Sequence, residues 1–95
     1  MLENRKSYEG HLDAQLAKWK AEIDLARAKA GRAEPRAKVQ FDLAIDSLQR
    51  AHDEANRHLS GLKEASDEVW EDLKLGTEKA WTDIRSHFNR SIEMH

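Results

Sequence analysis

The 95-residue chain has no cysteine, which removes both a disulfide framework and a thiolate metal site. It has one proline and four scattered glycines, Gly10, Gly31, Gly61 and Gly76. None of these stands in a GxxxxGK[ST] or GxGxxG arrangement, so no phosphate-cradling loop is present. No apolar run approaches the ~20 residues that span a bilayer. The opening MLENRKSYEG carries charge with no apolar segment behind it, unlike an export signal. A cytoplasmic location is the expectation these absences leave. Alternating β-branched and aromatic residues, and Asn-Gly or Asp-Gly hairpin signals, are also missing, which excludes a strand-based fold.

The chain is instead rich in charge and alanine. Charged residues make up 36% of it, mean hydropathy is −0.88, and 13 alanines account for a large part of the apolar content. Alanine forms helix well but buries little area, so a thin core in a single domain covering residues 1–95 is expected. Net charge is −2, with nine Lys/Arg against six Asp/Glu in residues 1–40 and seven against twelve in residues 41–95. An acidic segment folding back on a basic one accounts for this split. Nucleic-acid binding calls for a basic domain, and none is evident. The one basic cluster, Arg27, Lys29, Arg32, Arg36 and Lys38, has no interleaved aromatics for base stacking.

Helical periodicity is sustained. At about 100° per residue, Leu12, Leu16, Trp19, Ile23, Ala30, Phe41, Ile45, Leu48, Ala55, Leu59 and Leu62 fall on one face. The alternating three- and four-residue steps from Leu12 to Ala37 form a heptad seam, interrupted before Leu48 by a stutter. The fold class is therefore all-α. Within it, the apolar phase runs unbroken through AKAGRAEPRAK (Ala28 to Lys38), which favours a long helix kinked near Pro35. Ser66, followed by Asp67 and Glu68, reads as the start of a second helix. An elongated helical hairpin or coiled coil is the leading expectation, and a three-helix bundle broken at both places is the alternative.

The stretch VWEDLKLGTEKAWTDIRSHF (Val69 to Phe88) repeats after eleven residues, so that Trp70 returns as Trp81. Eleven residues make three helical turns. Val69, Trp70, Leu73, Trp81, Ile84, Phe88 and Ile92 share one arc opposite charges of both signs. The tryptophans are expected to pack on the small residues Ala26, Ala30, Ala33 and Ala37. An amphipathic helix that reversibly binds a membrane surface or exposed apolar protein surface is the competing reading, although the polar arc is not Lys/Arg-rich as anionic lipid would favour.

Catalysis and cofactor binding find little support. His52 and His58 are six residues apart and His87 and His95 eight apart, where a helical metal site wants three or four. Only Glu54/His58 and Asp83/His87 have that spacing, and each is a two-ligand fragment. His87 is expected to be a partly buried seam residue. No serine follows a Gly-rich turn that would present it beside an oxyanion hole. The reading is a non-enzyme with no cofactor, metal or small-molecule substrate, whose long seam and thin core suit a homo-oligomer.

Two clusters of residues also carry a family resemblance. The front one is Tyr8, Leu12, Ala14-Gln15-Leu16, Trp19 and Ala21-Glu22-Ile23-Asp24. The rear one is Leu62-Lys63, Ala65-Ser66, Trp70-Glu71-Asp72-Leu73-Lys74, Gly76, Glu78, Ala80-Trp81 and Asp83. Together they resemble a family of short bacterial coiled-coil or stress-response proteins that have no defined activity. The resemblance implies a cytoplasmic helical protein associated with stress, and it carries over no catalytic or ligand residues.

Overall fold

A computed structural model describes the backbone of residues 2–93 and the side chains of residues 4–90; the Ile92 side chain and His95 lie outside that range. The chain forms three helices, α1 (Leu2–Arg32), α2 (Pro35–Glu64) and α3 (Asp67–Glu93), with no strand among the described residues. Helices of about thirty residues are about 45 Å long, and they pack side by side into a rod of 52 × 20 × 17 Å.

The chain reverses at Pro35, where a kinked continuous helix was the favoured expectation. Proline disfavours the helical region for the residue before it, and suits the first helical position, where its missing N–H is no loss. Glu34 is accordingly extended (φ −64°, ψ 154°), and its carbonyl accepts the first bond of α2 from Lys38 at 2.8 Å. The unbroken apolar phase across this point rests on alanines, of which Ala33 ends half-buried and Ala37 exposed. A straight helix would have buried little with them. Reversal sets Ile45 and Leu48 level with the turn of α1 that carries Ala26 and Ala30.

The second reversal falls at Ala65, also extended (φ −70°, ψ 145°). The Ser66 carbonyl accepts from the N–H groups of Val69 (3.1 Å) and Trp70 (2.9 Å), so α3 starts where its cap chemistry places it. Asp67 and Glu68 lie in its first turn, where the helix macrodipole favours negative charge.

Contacts across the bundle fix the helix directions. Lys63 bonds Asp13 at 3.0 Å and Arg27 bonds Gln49 at 3.0 Å, so α1 and α2 are antiparallel. Between α1 and α3 the register is parallel, with an offset of 62 residues. Arg5 reaches Asp67 at that offset, and Tyr8–Trp70 and Trp19–Trp81 repeat it. The α1 and α3 backbones stay farther apart than those of the other helix pairs, and aromatic side chains fill the gap. Tyr8 meets Trp70 edge to face (5.6 Å, 82°), Trp19 meets Trp81 at 5.3 Å, and Trp19 stacks on Phe88. The eleven-residue spacing of Trp70 and Trp81 therefore answers an equal spacing of Tyr8 and Trp19, and not the alanine series expected to receive them.

Leu12, Leu16, Trp19, Ile23, Ile45, Leu48, Leu59, Leu62, Trp70, Trp81, Ile84 and Phe88 are buried together with Ala30 and Ala55, and Phe41 is half-buried against them. Val69 and Leu73 depart from the expected seam, at 46% and 42% exposure. The core direction of α3 runs through Trp70, Thr77, Trp81, Ile84 and Phe88, which leaves Val69 and Leu73 on the flank. Thr77 was overlooked because it is polar. Its heptad spacing between Trp70 and Trp81 marks it as inward-facing, and it is 3% exposed.

Candidate functional site

The densest polar cluster surrounds Arg5 on the first turns of α1. Its guanidinium donates to the carbonyls of Leu62 (3.1 Å), Lys63 (3.1 Å) and Ala65 (2.6 Å), closing the C-terminus of α2. It also donates to Asp67 (2.8 Å) and Glu9 (3.1 Å), and Glu9 in turn accepts from the Trp70 indole at 2.8 Å. The last carbonyls of a helix lack intrahelical partners, and an arginine fork can serve several at once. Desolvation works against the Arg5 charge, but its bonds to Glu9 and Asp67 outweigh that and raise its pKa above the ordinary arginine value. All five contacts lie within the fold, so the cluster ties three chain segments together.

The outer groove between α2 and α3 carries His58 and His87. In it, Ser47 Oγ lies 2.7 Å from His87 Nε2, with Arg50, Glu54, Asp83 and Arg90 around a shallow cavity of about 320 Å³. A serine beside a histidine is the start of a nucleophilic pair, but that chemistry also needs a group orienting the second ring nitrogen and donors for an oxyanion. Among the described residues His87 Nδ1 donates no hydrogen bond to a carboxylate. The backbone N–H groups nearby belong to the interiors of helices. The pair is a helix–helix contact, and His87 is half-buried in it.

Farther along the groove, Arg57, His58, Gly61, Asp72, Leu73 and Gly76 border an open cavity of about 270 Å³. His52 is on the other side of α2, with Nδ1 buried and without a hydrogen-bond partner. Among the described residues no three His, Asp or Glu side chains converge as metal ligands. The basic cluster sits at the Pro35 end of the bundle. There Arg27 pairs with Asp24 (3.6 Å) and Lys38 with Asp42 (2.8 Å), while Lys29 and Arg32 occupy the last turn of α1, which favours cations.

The outward faces of the helices differ. Along the middle of α2 that face carries Asp46, Arg50, Asp53 and Arg57, and on α3 it carries Glu68, Asp72, Lys79 and Ser86 with a single apolar residue, Leu75, 69% exposed. Helix α1 instead turns Ala14, Ala17, Ala21, Leu25 and Ala28 to the outside, with Leu25 58% exposed. It is apolar on two opposite sides, one of which is the core. Val39 and Leu43 make a smaller exposed pair at the start of α2. Among the described residues no helix is long and apolar enough to cross a membrane. Comparison with protein-family models, curated proteins and solved structures finds no match to this chain.

Proposed function

We propose that this chain is a non-enzymatic structural or interaction protein that works by self-association, as a dimer or higher homo-oligomer. The observation that carries the reading is the uncovered apolar face of α1. Its alanines favour helix even in a monomer, but together with the 58%-exposed Leu25 they leave an apolar strip directly opposite the core, and such a face suits a partner helix. The polar groups capable of chemistry fit the same reading, since Arg5, Glu9, Ser47 and His87 are engaged in holding helices to one another. The resemblance of the Tyr8–Asp24 and Leu62–Asp83 segments to bacterial stress-response helical proteins extends the proposal to a cytoplasmic role in stress adaptation. Membrane-surface attachment through α3 is the less favoured reading. Trp70, Trp81, Ile84 and Phe88 are core residues, so α3 would have to leave the bundle to present them.

Sedimentation equilibrium from micromolar to near-millimolar concentration tests the proposal. The expected result is an apparent mass that rises with concentration toward at least twice that of the chain. A compact monomer over the whole range would reject it.

A further inference from the structure

We infer that the outer face of α1 binds the same face of a second copy in antiparallel orientation, about a two-fold axis at Ala21. The inference rests on the self-association reading and names its surface and geometry.

At about 100° per residue, Ala14, Ala17, Ala21, Leu25 and Ala28 lie within about 40° of the direction opposite Leu12. All five are exposed, and they extend about 20 Å along the helix. Alanine allows two helices to approach to about 8 Å and loses no side-chain rotamer freedom on burial. With the two-fold axis at Ala21, that residue meets itself, Ala17 meets Leu25, and Ala14 meets Ala28. The one large residue of the stripe thus always faces a small one.

Charge decides the orientation. Lys18 and Glu22 flank the stripe on one edge, and Lys20 and Asp24 flank it on the other. Antiparallel packing brings like edges together. Lys18 then comes within about one half-turn of the half-buried Glu22 of the other copy, and Lys20 of Asp24, each contact occurring twice, while Glu22 and Lys20 each meet their own counterpart once at the same spacing. Parallel in-register packing brings unlike edges together and sets Lys18 beside Lys20 and Glu22 beside Asp24, each twice, against Glu22 beside Lys20 twice, so unlike contacts outnumber like ones only in the antiparallel arrangement. Within one copy none of the four pairs with another of them, and Asp24 makes only a long contact to Arg27 at 3.6 Å. A two-helix contact of this length buries less than the roughly 1,200–2,000 Å² of a standard interface, so the dimer is weak and depends on concentration.

The absence of cysteine makes a direct test clean. A disulfide needs its Cβ atoms about 3.8 Å apart, and only a residue near the two-fold axis meets that condition with its own copy. Under mild oxidation Ala21→Cys is expected to form covalent dimers. Ala14→Cys and Ala28→Cys, each about 21 Å from its own counterpart, are expected to stay monomeric, as is Ser86→Cys on the outer face of α3. Cross-linking of all three α1 variants would overturn the antiparallel arrangement, and cross-linking of Ala21→Cys no faster than Ser86→Cys would overturn the surface. Ala21→Glu places two carboxylates at the axis and is expected to abolish association in sedimentation while keeping the helical circular dichroism of the parent. Association unchanged by Ala21→Glu would overturn this surface but leave self-association standing, whereas a parent chain monomeric at every concentration would overturn both.

Discussion

Trp19 on α1 lies flat against Phe88 on α3, with ring centroids 4.8 Å apart and planes 9° from parallel. Both are buried, Phe88 completely. Because the α1 and α3 backbones are the most widely separated pair, side-chain contacts such as this one and the adjoining Trp19–Trp81 contact join α3 to α1, while α2 packs against α3 from the other side. Truncating a buried aromatic costs about 3–5 kcal/mol, against a total stability of about 5–15 kcal/mol for a domain. Phe88→Ala is therefore expected to bring the protein close to unfolding. The milder substitutions Trp19→Leu and Phe88→Leu suit a double-mutant cycle in urea, with an expected coupling of about 0.5–1.5 kcal/mol for the ring pair. A coupling near zero would mean the rings act only through the area each buries.

The two tryptophans of the eleven-residue repeat are alike in burial and unlike in polarity. Trp70 donates its indole N–H to Glu9 at 2.8 Å, whereas the buried Trp81 Nε1 has no hydrogen-bond partner. Replacing Trp70 by Phe removes a bond to a charged acceptor and leaves Glu9 with Arg5 alone, an expected loss of about 1.5–3 kcal/mol beyond the change in volume. Trp81→Phe removes an unsatisfied donor and is expected to cost less. Urea midpoints of the two variants check the order, and a larger loss for Trp81→Phe would contradict it.

Pro35 shows where the sequence could and could not be read. Both helix breaks had visible causes, Pro35 at one and Ser66-Asp67-Glu68 at the other, and the inward residues of all three helices followed from their spacing. Whether the chain bent or reversed at Pro35 was not legible, because phase alone does not register how little Ala33 and Ala37 contribute. The exposure of Val69 and Leu73 within the chain was not legible for a related reason. An apolar arc of about 140° is wider than a triangular bundle can cover, and periodicity does not say which edge of it is left outside. Leu25 and Leu43 stand off the main stripe in the sequence and mark a thin second face suited to an oligomer contact, but the alanines that extend it along α1 read there only as helix formers. Without proline, the continuous phase from Ala30 to Ala37 becomes compatible with one long helix. Pro35→Ala is therefore expected to populate a domain-swapped dimer after refolding at high concentration, seen by size exclusion, with less than about 1 kcal/mol lost by the monomer. Refolding to monomer alone would show that core packing enforces the reversal unaided.

Tyr8 gives the fold an alkaline limit. Its phenol pKa is raised above the ordinary value of 10.0 chiefly by burial, with Glu78 adding to the rise and Arg85 opposing it. Lys74 lies over its ring, 5.0 Å from the centroid. Below pH 10 the phenol is neutral in both folded and unfolded chains, and the stabilising difference is fully present. As the pH rises toward the folded pKa the unfolded chain ionises first and binds fewer protons, so stability falls. This is the only tyrosine, so phenolate absorbance near 295 nm reports it alone. The native titration is expected to have its midpoint above 10.0 and to return to about 10 in urea, and Glu78→Gln is expected to lower the native midpoint. Tyr8→Phe separates this effect from lysine titration in the same range. It should lose less stability than the parent between about pH 9 and about pH 11, whereas equal losses would place the alkaline sensitivity in the ammonium groups.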